Sequence, residues 1–127
     1  MNKEYKLETL EVYQLAEEFS NKIWGVVNRW DFFQKDTVGK QLVRSADSIS
    51  ANIAEGYGRH FYADSIKFYY YSRGSLTETF SWVQKSKVRG LITDEELKLL
   101  SDEMSIIHSK LNGYISWLRT QKNNENK

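Results

Sequence analysis

A chain of 127 residues, 40% hydrophobic and 28% charged, suits one domain that can bury a core without covalent staples. It contains no Cys, which excludes disulfides, thiolate metal sites and thiol nucleophiles and fits a reducing compartment. The formal net charge of +1 hides a basic middle: residues 1–34 carry 4 Lys/Arg against 6 Asp/Glu, residues 35–89 carry 9 against 5, and residues 90–127 carry 5 against 6.

Met1 to Lys6 lead into a polar amphipathic segment rather than an apolar signal core, and no run approaches the roughly 20 apolar residues of a membrane span. The expectation is a soluble, cytoplasmic protein with no membrane partner. Proline is absent. Because it costs about 3 kcal/mol inside a helix yet is common in loops, a chain without it reads as mostly helix with short connections.

The first predicted helix covers about 9–30. Val12, Ala16, Phe19, Ile23, Val26 and Trp30 follow steps of four and three, a heptad-like seam, with Glu11, Glu17 and Glu18 early and Arg29 late, as the helix dipole prefers. Asp31 to Lys35 reads as a connection in which Phe32 or Phe33 plugs the end of a bundle.

Asp36 is the expected N-cap of a second helix over 37–57. At roughly 100° per residue this helix carries two rows. Leu42, Ala46, Ile49, Ile53 and Tyr57 form an apolar line; Gln41, Arg44, Ser48, Asn52, Glu55 and Arg59 form a polar one. Gly56 and Gly58 are expected to supply the left-handed backbone of its C-terminus. Its small residues suit close helix packing.

The third helix, about 63–89, is aromatic on two sides. Ile66, Tyr70, Phe80 and Val83 make one face, with Phe68, Tyr71 and Trp82 nearly opposite. A bundle covers only one of them, so a partner subunit, ahead of a bound ligand, is expected to cover the other. Mid-helix Gly74 costs about 1 kcal/mol, which a close helix contact would offset.

Gly90 is the expected C-cap, and Thr93 with Glu96 forms a capping box that opens the fourth helix, about 94–120. Leu97, Leu100, Met104, Ile107, Leu111, Tyr114 and Leu118 form its seam; 121–127 should fray. Four such helices with short links predict an all-α, up-down antiparallel four-helix bundle with left-handed, coiled-coil-like packing, one domain over 1–127.

Chemical motifs are scarce. A two-metal carboxylate site in a bundle needs Glu-x-x-His, but Tyr57 and Ser105 stand three residues before the only histidines, His60 and His108. No Ser–His pair is arranged for nucleophilic catalysis. Glu55 and Glu78 read more readily as ion-pair partners of Arg44, Arg59 or Arg73 than as acid–base groups. No catalytic residue, metal or cofactor is expected. Arg59, Lys67, Lys85, Lys87 and Arg89 lie among aromatic residues, the mixture that phosphate attraction and base stacking require. The alternative is that the rings are packing and the Lys85–Arg89 cluster complements a helix C-terminus.

The string Gln41-Leu42, Arg44, Ala46, Ser48-Ile49, Ala51-Asn52-Ile53-Ala54-Glu55-Gly56, Gly58-Arg59 resembles the four-helix-bundle family of 23S rRNA intervening-sequence proteins. So does a second block, Arg73-Gly74-Ser75-Leu76, Glu78-Thr79 and Trp82. Asp47 and Ser50 depart from the small or apolar residues usual in the family. The resemblance implies an antiparallel four-helix bundle and is similar to the accessory protein of diversity-generating retroelements. That group forms homopentamers, and the accessory protein binds nucleic acid and a reverse transcriptase. It supplies no catalytic residue.

The function expected from both lines is a non-enzymatic, homo-oligomeric bundle that binds RNA or DNA through Arg59, Lys67, Lys85, Lys87 and Arg89. The alternative is a scaffold for a protein partner with no nucleic-acid role. Gln41, Arg44, Ser48, Asn52, Glu55, Arg73, Ser75 and Glu78 are expected to form an internal or intersubunit polar network. In it Arg44, Asn52, Glu55 and Glu78 satisfy one another.

Overall fold

The computed structural model describes residues 7–125; the polar lead-in at 1–6 and residues 126–127 lie outside the described residues. A 3₁₀ turn, Leu7–Thr9, precedes α1, Glu11–Asn28. One α-helical turn, Phe32–Gln34, a π-helical stretch, Lys35–Gly39, and an α-helix, Lys40–Tyr57, run on without a break and together form α2. Helix α3 spans Tyr62–Val88 and α4 spans Asp94–Glu125. No strand occurs among the described residues. Each helix packs on the next and α1 closes against α4, giving an all-α antiparallel four-helix bundle.

The α1 seam forms as its spacing dictates: Val12, Ala16, Phe19, Ile23, Val26 and Trp30 are all buried. On α4, Leu100, Met104, Ile107, Leu111 and Leu118 are buried with Ile115, while Leu97 and Tyr114 sit half-buried at the margin. The α2 contribution is Leu42, Ala46, Ile49 and Ile53. Each large aliphatic side chain so buried contributes about 1.5–3 kcal/mol relative to exposure. At one end the α1–α2 and α3–α4 turns are locked together, because the Trp30 indole Nε1 donates to the Leu91 carbonyl (3.1 Å) and Arg29 pairs with Glu96.

The helix ends explain the chain's breaks. Gly90 is the only described residue with positive φ (74°). It closes α3 with Leu91 N–H on the Ser86 carbonyl (2.8 Å) and its own N–H on that of Lys87 (3.0 Å). The capping box at the start of α4 is present: Glu96 N–H donates to Thr93 Oγ1 (3.1 Å) and Thr93 N–H to Glu96 Oε1 (3.0 Å). The Thr93 amide, with Arg29, holds the Glu96 carboxyl below its ordinary value. Thr93→Ala is expected to lower stability by about 1 kcal/mol. This would be read as a lower urea midpoint at unchanged slope; an unmoved midpoint would show that the cap contributes nothing.

Several expectations need correcting. Asp36 is not the N-cap of the second helix. Asp31 is: its side chain accepts from Gln34 N–H (2.8 Å) and Gln34 Oε1 accepts from Asp31 N–H (3.1 Å), so the helix begins at Phe32. Phe32 and Phe33 do not plug the bundle; they are 81% and 74% exposed. Gly56 and Gly58 keep negative φ. Gly56 is instead a packing glycine, where an added Cβ would lie 2.9 Å from Tyr69 Cε2 and 3.0 Å from the Ser65 carbonyl oxygen. Gly74 meets nothing within 4 Å of the position its Cβ would take, so no contact within the chain offsets its helical cost. The helix predicted to fray from residue 121 continues to Glu125.

Candidate subunit-contact and nucleic-acid surfaces

Helix α3 is not organised by its aromatic residues. Its buried line is Ser65, Tyr69, Ser72, Leu76, Thr79, Val83 and Ser86, alternating steps of four and three, with hydroxyl residues every seventh position. These hydroxyls bring α2 and α3 close and fix their register. Ser65 Oγ donates to the Gly56 carbonyl (2.7 Å) and Ser72 Oγ to that of Ile49 (2.7 Å). Thr79 Oγ1 donates to Ser45 Oγ (2.9 Å), which donates to the Leu42 carbonyl (3.1 Å). Ser86 Oγ turns back to the Trp82 carbonyl (2.8 Å). Of the face drawn through Ile66, Tyr70, Phe80 and Val83, Ile66 and Val83 are buried and Phe80 is 46% exposed. Tyr69, overlooked in the sequence, is buried against Tyr114 with ring centroids 4.9 Å apart. The seven-residue recurrence of Ser and Thr was the available signal.

Directly opposite this seam, Lys67, Tyr71, Gly74, Glu78, Ser81, Lys85 and Val88 make a second line with the same alternating spacing, and every member is exposed. The polar row lies on the neighbouring helix, α2. The register brings Arg44 to the level of Glu78, yet the two make no ion pair. Glu78 accepts instead from the Trp82 indole Nε1 (3.1 Å), and Arg44 makes no ion pair among the described residues.

The rest of the row bonds locally. Ser48 Oγ donates to the Arg44 carbonyl (2.8 Å), Asn52 Nδ2 donates to that of Ser48 (2.9 Å), and Glu55 pairs with Arg59 (3.0 Å). Gln41 is half-buried on the same row, and the carbonyl of the half-buried Ser75 is the alternative acceptor, at 2.7 Å, for the single Thr79 hydroxyl proton. The network expected among Arg44, Asn52, Glu55 and Glu78 therefore does not close among the described residues: Asn52 and Glu78 bond within their own helices, Glu55 pairs with Arg59 just past the end of α2, and Arg44 makes no ion pair. Arg73 is directed to α4, donating to Asn112 Oδ1 (2.9 Å) with its guanidinium over the Tyr70 ring (4.8 Å).

The expected basic residues fall into two groups. Lys67 and Lys85 share the outer line of α3 but stand about 27 Å apart at 1.5 Å per residue. Arg59 lies near Lys67, over the Phe68 ring (4.4 Å). Lys85, Lys87 and Arg89 sit at the other end, where Lys85 lies over Trp82 (5.3 Å) and Lys87 pairs with Asp94 (3.1 Å). Lys67, Lys85 and Arg89 make no ion pair among the described residues.

The family model for the 23S rRNA-intervening sequence protein matches residues 8–113, from the lead-in turn to the middle of α4. The chain belongs to that family. This 23S rRNA-intervening sequence protein family member is similar to a crystal structure of a protein of unknown function from the S23 ribosomal protein family of Bacteroides thetaiotaomicron. The two superpose with a TM-score of 0.77 at 26% identity, covering 83% of this chain and 95% of the other. No curated protein matches it. Within this family member, the departures at Asp47 and Ser50 are matched by α1: Ser20 donates to Asp47, and Ser50 Oγ donates to Glu17 Oε2 (2.7 Å). Among the described residues no helix is long and apolar enough to cross a membrane.

Proposed function

We propose that this family member is a non-enzymatic, cytoplasmic, homo-oligomeric helical module that binds nucleic acid. The observation that carries this reading is the outer line of α3. It repeats the spacing of a packed seam, holds an exposed Tyr71 and an uncovered Gly74, and no other helix packs on it among the described residues. A second copy laid along it would cover Gly74, whose helical cost of about 1 kcal/mol is otherwise unanswered, and would give Arg44 and Glu78 partners. The family resemblance favours five copies. Lys67, Lys85 and Arg89, which make no ion pair among the described residues, supply the phosphate attraction.

Sedimentation velocity with and without a structured RNA, at about 50 and 200 mM salt, tests both halves. A mass several times that of the 15.0 kDa chain, and an RNA complex that weakens steeply with salt, are expected. A monomer mass overturns the oligomer, and no complex at either salt overturns nucleic-acid binding. The groove between α3 and α4, lined by Leu76, Phe80, Met104 and His108, favours a second reading, a scaffold for a protein partner. Under that reading the oligomer persists and RNA is ignored.

A further inference from the structure

The end of the bundle where the α1–α2 and α3–α4 turns meet carries three large rings in water: Trp24 at 62% exposure, Phe32 and Phe33. None of them stacks on another ring or pairs with a cation among the described residues. Two recesses open beside them. One, of about 360 Å³, is lined by Phe33, Gln34, Thr37, Val38, Arg89 and Leu91. The other, of about 220 Å³ on the α1–α2 side, is lined by Trp24, Val27, Lys35, Lys40 and Val43 among others. Both are walled by the π-helical stretch, the first also by the turn before it, and such stretches occur frequently at functional sites.

Each recess sets an aromatic face beside a cation. Phe33 and Arg89 line the first recess, and Trp24 and Lys35 the second; neither cation makes an ion pair among the described residues. The acids nearby are already engaged. Asp31 caps α2, Asp36 pairs with Lys40 (3.2 Å), Asp94 with Lys87, and Glu96 with Arg29. Glu95, in the first turn of α4, makes no ion pair among the described residues. Unpaired cations beside uncovered rings are what an unstacked base and its phosphate require, whereas a duplex offers no free base faces.

We propose that this π-turn end of the bundle is a binding site for single-stranded nucleic acid. One base stacks on Phe33 with its phosphate toward Arg89, and another stacks on Trp24 beside Lys35. The proposal rests on the nucleic-acid reading above and narrows it to one end of the molecule, away from Arg59 and Lys67.

The test is fluorescence anisotropy of a labelled 20-nucleotide oligouridylate and of an abasic ribose-phosphate oligomer of the same length. Phe33→Ala and Trp24→Ala should each weaken oligouridylate binding roughly ten-fold, Phe33→Trp should restore it, and the abasic oligomer should bind both variants as it binds the parent. Both side chains are exposed, and circular dichroism melts will show whether the variants remain folded. If oligouridylate binds the parent and both alanine variants alike, this site is overturned while nucleic-acid binding stands. If the parent binds neither oligomer, both readings fall. If Phe33→Ala lowers the oligomer mass instead of the affinity, the ring belongs to a subunit contact and the proposal is wrong.

Discussion

Tyr69→Ala is expected to cost about 3–5 kcal/mol of stability, whereas Tyr69→Phe is expected to gain about 1 kcal/mol. Tyr69 is 1% exposed and lies at the centre of the bundle. Truncation removes a large ring from a site walled by Gly56, Ser65 and Tyr114, helix backbones that cannot collapse to fill the space. The phenylalanine variant keeps the ring and removes a buried hydroxyl that finds no hydrogen-bond partner among the described residues, so it relieves a desolvation cost.

The same hydroxyl makes stability pH-dependent. Burial, helped by Tyr114, holds it far above the ordinary value of 10.0. Above pH 10 the unfolded chain releases this proton and the folded chain keeps it. Tyr69 therefore contributes nothing to pH dependence below that value, and it costs about 1.4 kcal/mol per pH unit above it. Urea titrations at pH 8 and pH 11 would show a smaller alkaline loss in Tyr69→Phe than in the parent. An equal loss would mean that Tyr69 ionises as freely in the fold as out of it.

Gly56→Val is the second large effect, a loss of about 2–3 kcal/mol. The position is helical, so propensity alone would favour a side chain over glycine. Packing reverses the sign. The Cβ would press on a ring edge and a carbonyl oxygen, and relief means moving α3 away from α2 and stretching the bonds from Ser65 and Ser72. Gly74→Ala provides the contrast, because its Cβ would enter open space. In an isolated chain it should stabilise by up to about 1 kcal/mol, and in an oligomer sealed along the outer line of α3 it should weaken assembly instead. Thermal melts of both variants, with sedimentation of Gly74→Ala, separate these terms. A Gly56→Val protein that melts with the parent would show that α2 and α3 are not held this close.

What was legible in the sequence followed the size of the side chains that reach the core. Where large aliphatic residues line the seam, as on α1 and α4, spacing alone identified the buried face. On α3 it found Ile66 and Val83 but not the rest of the buried line, because the interior there also holds Ser72, Thr79 and Ser86. Ranking residues by hydrophobicity sends the eye to Phe80 and Tyr71, which face water. The start of α2 was legible in principle, since Asp31 and Gln34 have capping-box spacing, but two phenylalanines in between suggested a plug. The π-helical stretch has no sequence signature of that strength. The candidate surfaces divided in the same way. Residue types marked which side chains matter, but only the fold shows that the basic residues lie at two ends and that Arg44 and Glu78 stand level without meeting.

The π-helical stretch Lys35–Gly39 has a consequence for what lies ahead of it. Closing each turn over one more residue than an α-helix does, it shifts the reading frame of the helix by one position, about 100° of rotation. Continued at α spacing from Leu42, the core line would pass through Val38 to Lys35 and carry an ammonium group under the bundle. With the shift, half-buried Gln34 takes that place and Lys35 stays in water. The slipped frame thus keeps a charge out of the interior and leaves it at the surface, within reach of an anion.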